Sequence, residues 1–223
     1  MRNYVTEAIG TFFLVLTVGL TVSQNVPMAP LAIGSSLMIM VYMGGHISGG
    51  HYNPAVSLAV FLRGKLQGRD LVGYWISQFV GAILAAGMVY VALGATFAAK
   101  PGNGVTFWTA VMIELVYTFA LCIVVLHTAT TSDTEGNSYY GLAIGFTIVV
   151  AAFAGGAISG GAFNPAVGIG PAIYAAFLGQ AGALSHVWIY LIGPLVGGAL
   201  AAAVFRVQVP YAIDTKRPPI PKP

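Results

Sequence analysis

Long apolar stretches alternate with short polar connections along the whole chain. The apolar runs lie near residues 4–23, 31–45, 71–94, 107–127, 140–157 and 185–206. Each approaches the roughly 20 residues that carry a helix across a hydrocarbon core of about 30 Å. Six membrane-spanning helices are therefore expected. A further apolar segment follows the second run and another follows the fifth, and both are too short to span. As a helix, residues 53–62 would rise only about 15 Å, half a bilayer. Each such segment should enter and leave by one face. Irregular backbone at that depth is tolerated only inside protein or beside water, so the Ser-Gly-Gly stretches ahead of the two segments should line a pathway.

The two short segments are copies of each other. Residues Ile47 to Val56 return as Ile158 to Val167 with eight of ten positions identical, at an offset of 111 residues. Over residues 31–56 and 142–167 there are 14 identities in 26. Each copy holds three full spans, an odd number, so the second must cross the membrane in the opposite sense to the first. The expectation is a single all-α membrane domain over residues 1–223. Repeat 1 covers about 3–94 and repeat 2 about 107–207, and residues 208–223, rich in proline, form a disordered cytoplasmic tail.

Charge fixes the orientation. Only 7% of residues are charged, against 57% hydrophobic, whereas a soluble domain carries about 25% charged residues. Lys and Arg stay on the cytoplasmic side of short loops. With both ends inside, eight of the nine basic residues fall on that side and only Lys100 lies outside. The net charge of +3 is then a product of topology and calls for no nucleic-acid partner. The first apolar run begins directly after Arg2, is too long for a signal h-region and lacks a cleavage pattern, so it should be retained. Trp75, Trp108 and Trp188 fall near span starts, where interfacial anchors sit.

Each short segment opens with Asn-Pro-Ala: Asn53-Pro54-Ala55 and Asn164-Pro165-Ala166. Asn is a strong N-cap, and proline suits the first helical position, where its missing N–H is not needed. The two short helices should therefore point their positive dipole ends at the bilayer centre. An Asn oxygen that caps its own helix leaves its NH₂ free to donate into the lumen. A water molecule accepting from both amides would turn its hydrogens outward and break a proton wire, and the two dipole ends raise the energy of any cation there.

Six spans, an inverted repeat and the paired Asn-Pro-Ala motifs resemble the aquaporins, or major intrinsic proteins, over residues 3–207. The resemblance implies a passive channel with one pore per subunit, assembled as a homotetramer in the lipid bilayer. It also implies that Glu7 and Glu114, in the similar contexts Glu-Ala-Ile-Gly-Thr-Phe and Glu-Leu-Val-Tyr-Thr-Phe, accept hydrogen bonds from the re-entrant loops. His46, Val56 and Gly160 map to pore-lining positions, and His51 braces the first loop. The family's selectivity filter maps onto Ile33, Ala152, Gly161 and Val167. Most aquaporins carry an Arg where Val167 stands, so this filter is uncharged and apolar and is expected to be wide.

Such a filter implies water and small uncharged solutes, with ammonia, urea, glycerol or peroxide as candidates, while protons and ions are excluded. The Asn-Pro-Ala-Val motif resembles the tonoplast branch, some of whose members also lack the Arg. A glycerol facilitator is the alternative. Gly168 in place of that branch's Asp speaks against it, and Leu191 speaks for it. An ion-coupled carrier would need paired intramembrane charges, and Glu7 and Glu114 each stand alone in their halves. A non-conducting scaffold is the remaining class. With scattered histidines, no paired acids and the single Cys122, the sequence points to no catalytic residue, metal or cofactor.

Overall fold

The computed structural model describes residues 1–210, so most of the expected tail lies outside the described residues. Eight α-helices follow in order: α1 (Arg2–Ser23), α2 (Ala29–Ser48), α3 (Pro54–Leu62), α4 (Gly68–Leu93), α5 (Phe107–Ala129), α6 (Tyr140–Ser159), α7 (Pro165–Phe177) and α8 (Val187–Gln208). Six of them, α1, α2, α4, α5, α6 and α8, are long and apolar enough to cross a membrane. The other two are the half-helices. At 9 and 13 residues, α3 and α7 rise about 13 and 20 Å.

The packing repeats as the sequence does. α1 lies against α4 as α5 lies against α8, and α2 meets its copy α6 across the interface between the halves. That last contact depends on a pair of equivalent glycines. A Cβ on Gly34 would sit 2.5 Å from the Gly145 carbonyl oxygen, and one on Gly145 would sit 2.5 Å from that of Gly34. Gly193 and Gly197 let α8 approach α5 in the same way, with the Leu115 carbonyl 2.4 Å from where a Gly197 Cβ would lie.

α3 and α7 meet end to end inside the bundle. α3 packs against α4, α5 and α8, and α7 against α4 and α8. The Trp75 indole donates to the Pro54 carbonyl at 3.0 Å, which ties α4 to the start of α3. Trp108 and Trp188 remain largely exposed on the outer surface of the bundle.

Candidate functional site

The loops that lead into the half-helices are built alike. Each preceding helix, α2 or α6, ends on a left-handed glycine, Gly49 or Gly160. Gly50 and Gly161 follow at φ +64° and +66°, and Tyr52 and Phe163 then adopt φ 49°. Left-handed backbone at a bulky aromatic residue is strained and needs a surrounding structure that enforces it. Here the enforcing groups are the carboxylates. Glu7 accepts from the backbone N–H groups of His51 and Tyr52 at 3.0 and 2.7 Å, and Glu114 from those of Ala162 and Phe163 at 3.0 and 2.6 Å. Ser48 and Ser159 each add a hydroxyl donor at 2.7 Å. The loop N–H groups, which have no water at this depth, are thereby satisfied.

Asn53 and Asn164 cap the half-helices, each oxygen accepting from the backbone N–H two residues on, at 2.9 Å. Their amides also cross-link the halves. Asn53 Nδ2 donates to the Phe163 carbonyl at 2.9 Å, and Asn164 Nδ2 donates to the Tyr52 carbonyl at 2.8 Å. One hydrogen of each NH₂ is thus committed to protein and one is left for the lumen. Pro54, Ala55, Pro165 and Ala166 form the buried first turns behind them.

Two cavities follow in series. A vestibule of about 800 Å³ opens on the face that carries Asn3, Lys65 and the loop at Thr131–Asn137, and His46 lines it. Beyond it the lumen narrows to about 20 Å³, room for roughly one water molecule.

The lining of this narrow part divides completely into repeat-related pairs: Leu14 with Leu121, Val18 with Val125, Ile33 with Ile144, Leu37 with Ile148, Gly50 with Gly161, Asn53 with Asn164, Val56 with Val167, and His51 with Ala162. Seven pairs are chemically matched. The last is not, and His51, Val125 and Ile144 line both the narrow lumen and the vestibule.

Of the sequence-derived filter positions, Ile33, Gly161 and Val167 line the narrow lumen, as does Val56. Ala152 is half-buried and outside that cavity, one turn past Ile148 on α6. Gly160 is exposed, with its Cβ direction toward the Tyr190 hydroxyl and the Lys100 backbone. Two polar residues that sequence reasoning passed over stand behind His51. Gln78 Nε2 donates to Glu7 at 2.8 Å and to Ser57 Oγ at 2.9 Å, and Ser57 Oγ lies 3.1 Å from His51 Nδ1. A lone Gln in the apolar run of α4 was the available signal. Among the described residues no three metal-binding side chains cluster.

A bundle of two inverted halves around a narrow lumen, with half-helices meeting at its centre, defines the class of channel-forming membrane proteins. The family profile described as Major intrinsic protein matches residues 1–205, and the chain belongs to that family. It is 38% identical over 222 residues to glycerol uptake facilitator protein-like 6 of Lactiplantibacillus plantarum, covering 93% of this chain and 98% of that protein. It is 36% identical over 205 residues to aquaporin TIP1-2 of Musa acuminata, covering 90% of this chain and 79% of that one. The X-ray structure of the aquaglyceroporin from Plasmodium falciparum superposes with a TM-score of 0.85 at 21% identity, over 95% of this chain and 98% of that one.

Proposed function

We propose that this chain is a passive transmembrane channel for water and small uncharged solutes that excludes protons and ions. The observation that carries the reading is the Asn53–Asn164 pair, two capped half-helix N-termini presenting amide hydrogens into a narrow lumen whose remaining lining is apolar apart from His51. A water at that point is oriented by donors on the protein, and the dipole ends oppose any cation. Selection falls to Ile33, Gly161 and Val167 on one side of the pair and to their equivalents on the other, with Ala152 at the outer approach. His46 and Gly160 belong to the two mouths, and Glu7 and Glu114 hold the loops. The distribution of basic residues favours both termini in the cytoplasm, and the family resemblance supports a homotetramer with one pore in each subunit.

The full-length likeness to a protein named as a glycerol uptake facilitator favours glycerol as a second permeant. A carrier coupled to ions finds less support. Both intramembrane carboxylates are engaged by loop donors and neither faces the other. Stopped-flow light scattering on proteoliposomes separates these readings. Water flux with solute uptake that rises linearly with concentration fits the channel, whereas saturable uptake that needs an ion gradient would replace it with a carrier. A chain with no permeability at all would be a scaffold.

A further inference from the structure

The carbonyl end of α3 carries a buried cation. Arg63 is the C-cap of that half-helix, a place where the helix dipole favours positive charge, and it is only 7% exposed. Nη2 donates to the Thr130 carbonyl at the end of α5 at 3.3 Å, and the guanidinium lies 5.1 Å from the centre of the Phe205 ring on α8. Nε is buried without an acceptor. Among the described residues no carboxylate pairs with this group. A guanidinium held by one carbonyl and one aromatic face keeps its field, because a charge inside protein is screened far less than one in water.

That field falls on the vestibule. Thr130, whose carbonyl holds the guanidinium, lines the cavity, and so do Val60, one turn earlier on α3, and Lys65, just beyond its end. The charged residues of the lining are Lys65, Asp70 and Glu135, so acids outnumber bases there and the lining by itself does not turn cations away. No Lys, Arg, Asp or Glu lines the narrow lumen. On the far side, the repeat equivalent of Arg63 is Tyr174, whose ring lies near that of Tyr90, and the filter position there is Val167. The strongest fixed charge near the pathway therefore stands on one side of the Asn pair, behind the vestibule wall.

We propose that Arg63 is a specificity-determining residue: a buried guanidinium without a counter-ion that raises the energy of cations in the vestibule before they reach the Asn pair. The proposal rests on the reading of the chain as a channel and adds the group that turns cations away at one entrance. The half-helix dipoles oppose cations at the centre, and Arg63 opposes them earlier on the path. The residue also fastens the end of α3 to α5 and α8, beside Arg206, which donates to the Leu62 carbonyl. Substitution separates the charge from the fastening. Arg63→Met keeps a long side chain for packing and removes the charge, whereas Arg63→Lys keeps the charge and loses the planar fork.

The test uses the full chain in proteoliposomes, with osmotic water flux, potassium leak and proton leak read on the same vesicles and leak expressed per unit of water flux. In the wild type, leak should match that of empty vesicles, and it should stay there at about 1 M salt, where exposed charges are screened within about 3 Å. Arg63→Met should leak above empty vesicles, by about tenfold for one unit charge acting at an effective dielectric near 20. Arg63→Lys should remain close to wild type. Thr130→Asp, which sets a carboxylate beside the guanidinium and leaves the arginine in place, should leak as Arg63→Met does, and it carries the comparison if Arg63→Met does not fold. Leak at the empty-vesicle level in a folded, water-conducting Arg63→Met or Thr130→Asp protein would overturn the proposal. Equal leaks in Arg63→Met and Arg63→Lys would overturn it too, leaving the residue a fastening alone. Wild-type vesicles without water flux would instead remove the channel reading.

Discussion

Asn53 and Asn164 each donate to the carbonyl of the residue that precedes the other, Asn53 to Phe163 and Asn164 to Tyr52. The two half-helices are thus joined through the same side chains that cap them. Replacing Asn164 with Ala removes a cap, about 1 kcal/mol, and leaves the Tyr52 carbonyl without its donor, a further ~1–3 kcal/mol. We expect Asn164→Ala to lower the unfolding temperature in detergent well beyond a single cap deletion. A melting temperature within a degree of wild type would mean the cross-link carries no stability.

Glu7 is expected to be the more sensitive of the two carboxylates. It accepts four hydrogen bonds, whereas Glu114 accepts three, because the second half has no counterpart of the Gln78 donor. Glu→Gln at either site turns an NH₂ toward donors and leaves buried N–H groups unpaired. Scanning fluorimetry on Glu7→Gln and Glu114→Gln should show both destabilised, with the larger loss at Glu7. The reverse order would contradict the donor count.

The α2–α6 contact gives a paired prediction with an internal control. Gly34→Ala and Gly145→Ala each place a methyl 2.5 Å from a carbonyl oxygen of the facing helix, so each should cost stability and reduce the yield of folded protein. Gly156 also lies in α6, yet nothing stands within 4 Å of its Cβ direction. Gly156→Ala should therefore be neutral or stabilising by up to about 1 kcal/mol. Thermal stability of the three variants decides between close approach and a general intolerance of α6 to substitution.

The six spans and the two short segments were legible in the sequence because their signals are long-range. Apolar runs near 20 residues and a 111-residue offset survive any detail of packing. The caps were legible too, since Asn-Pro states its own local geometry. The partners of Glu7 were not. Gln78 and Ser57 are single polar residues in apolar helices, and no periodicity marks which buried acceptor they face. Counting from the motifs assigned Ile33, Ala152, Gly161 and Val167 to the filter; Ile33, Gly161 and Val167 line the narrow cavity together with Ile144 and Ile148 of α6, and Ala152 lies one turn beyond Ile148. Trp75 looked like an interfacial anchor from its place at a span start, and its bond to Pro54 depends on the tilt of α4.

Val167→Arg should narrow the range of permeants. Val167 is buried and lines a lumen of about 20 Å³, so a guanidinium there competes for the space a solute needs. Urea and glycerol uptake should fall more than water flux in proteoliposomes of this variant. An equal loss of all three would indicate a plugged or misfolded pore, and no change would place the constriction elsewhere.

The proposed function requires that neutral molecules pass a lumen whose Asn pair refuses protons. Its most direct test is one proteoliposome preparation measured twice by stopped flow, once for osmotic water flux and once for dissipation of a pH gradient, each against empty vesicles. Water flux far above that of the empty vesicles is expected, with proton leak at their level. Proton flux rising together with water flux, or water flux no faster than the bare bilayer, would contradict it.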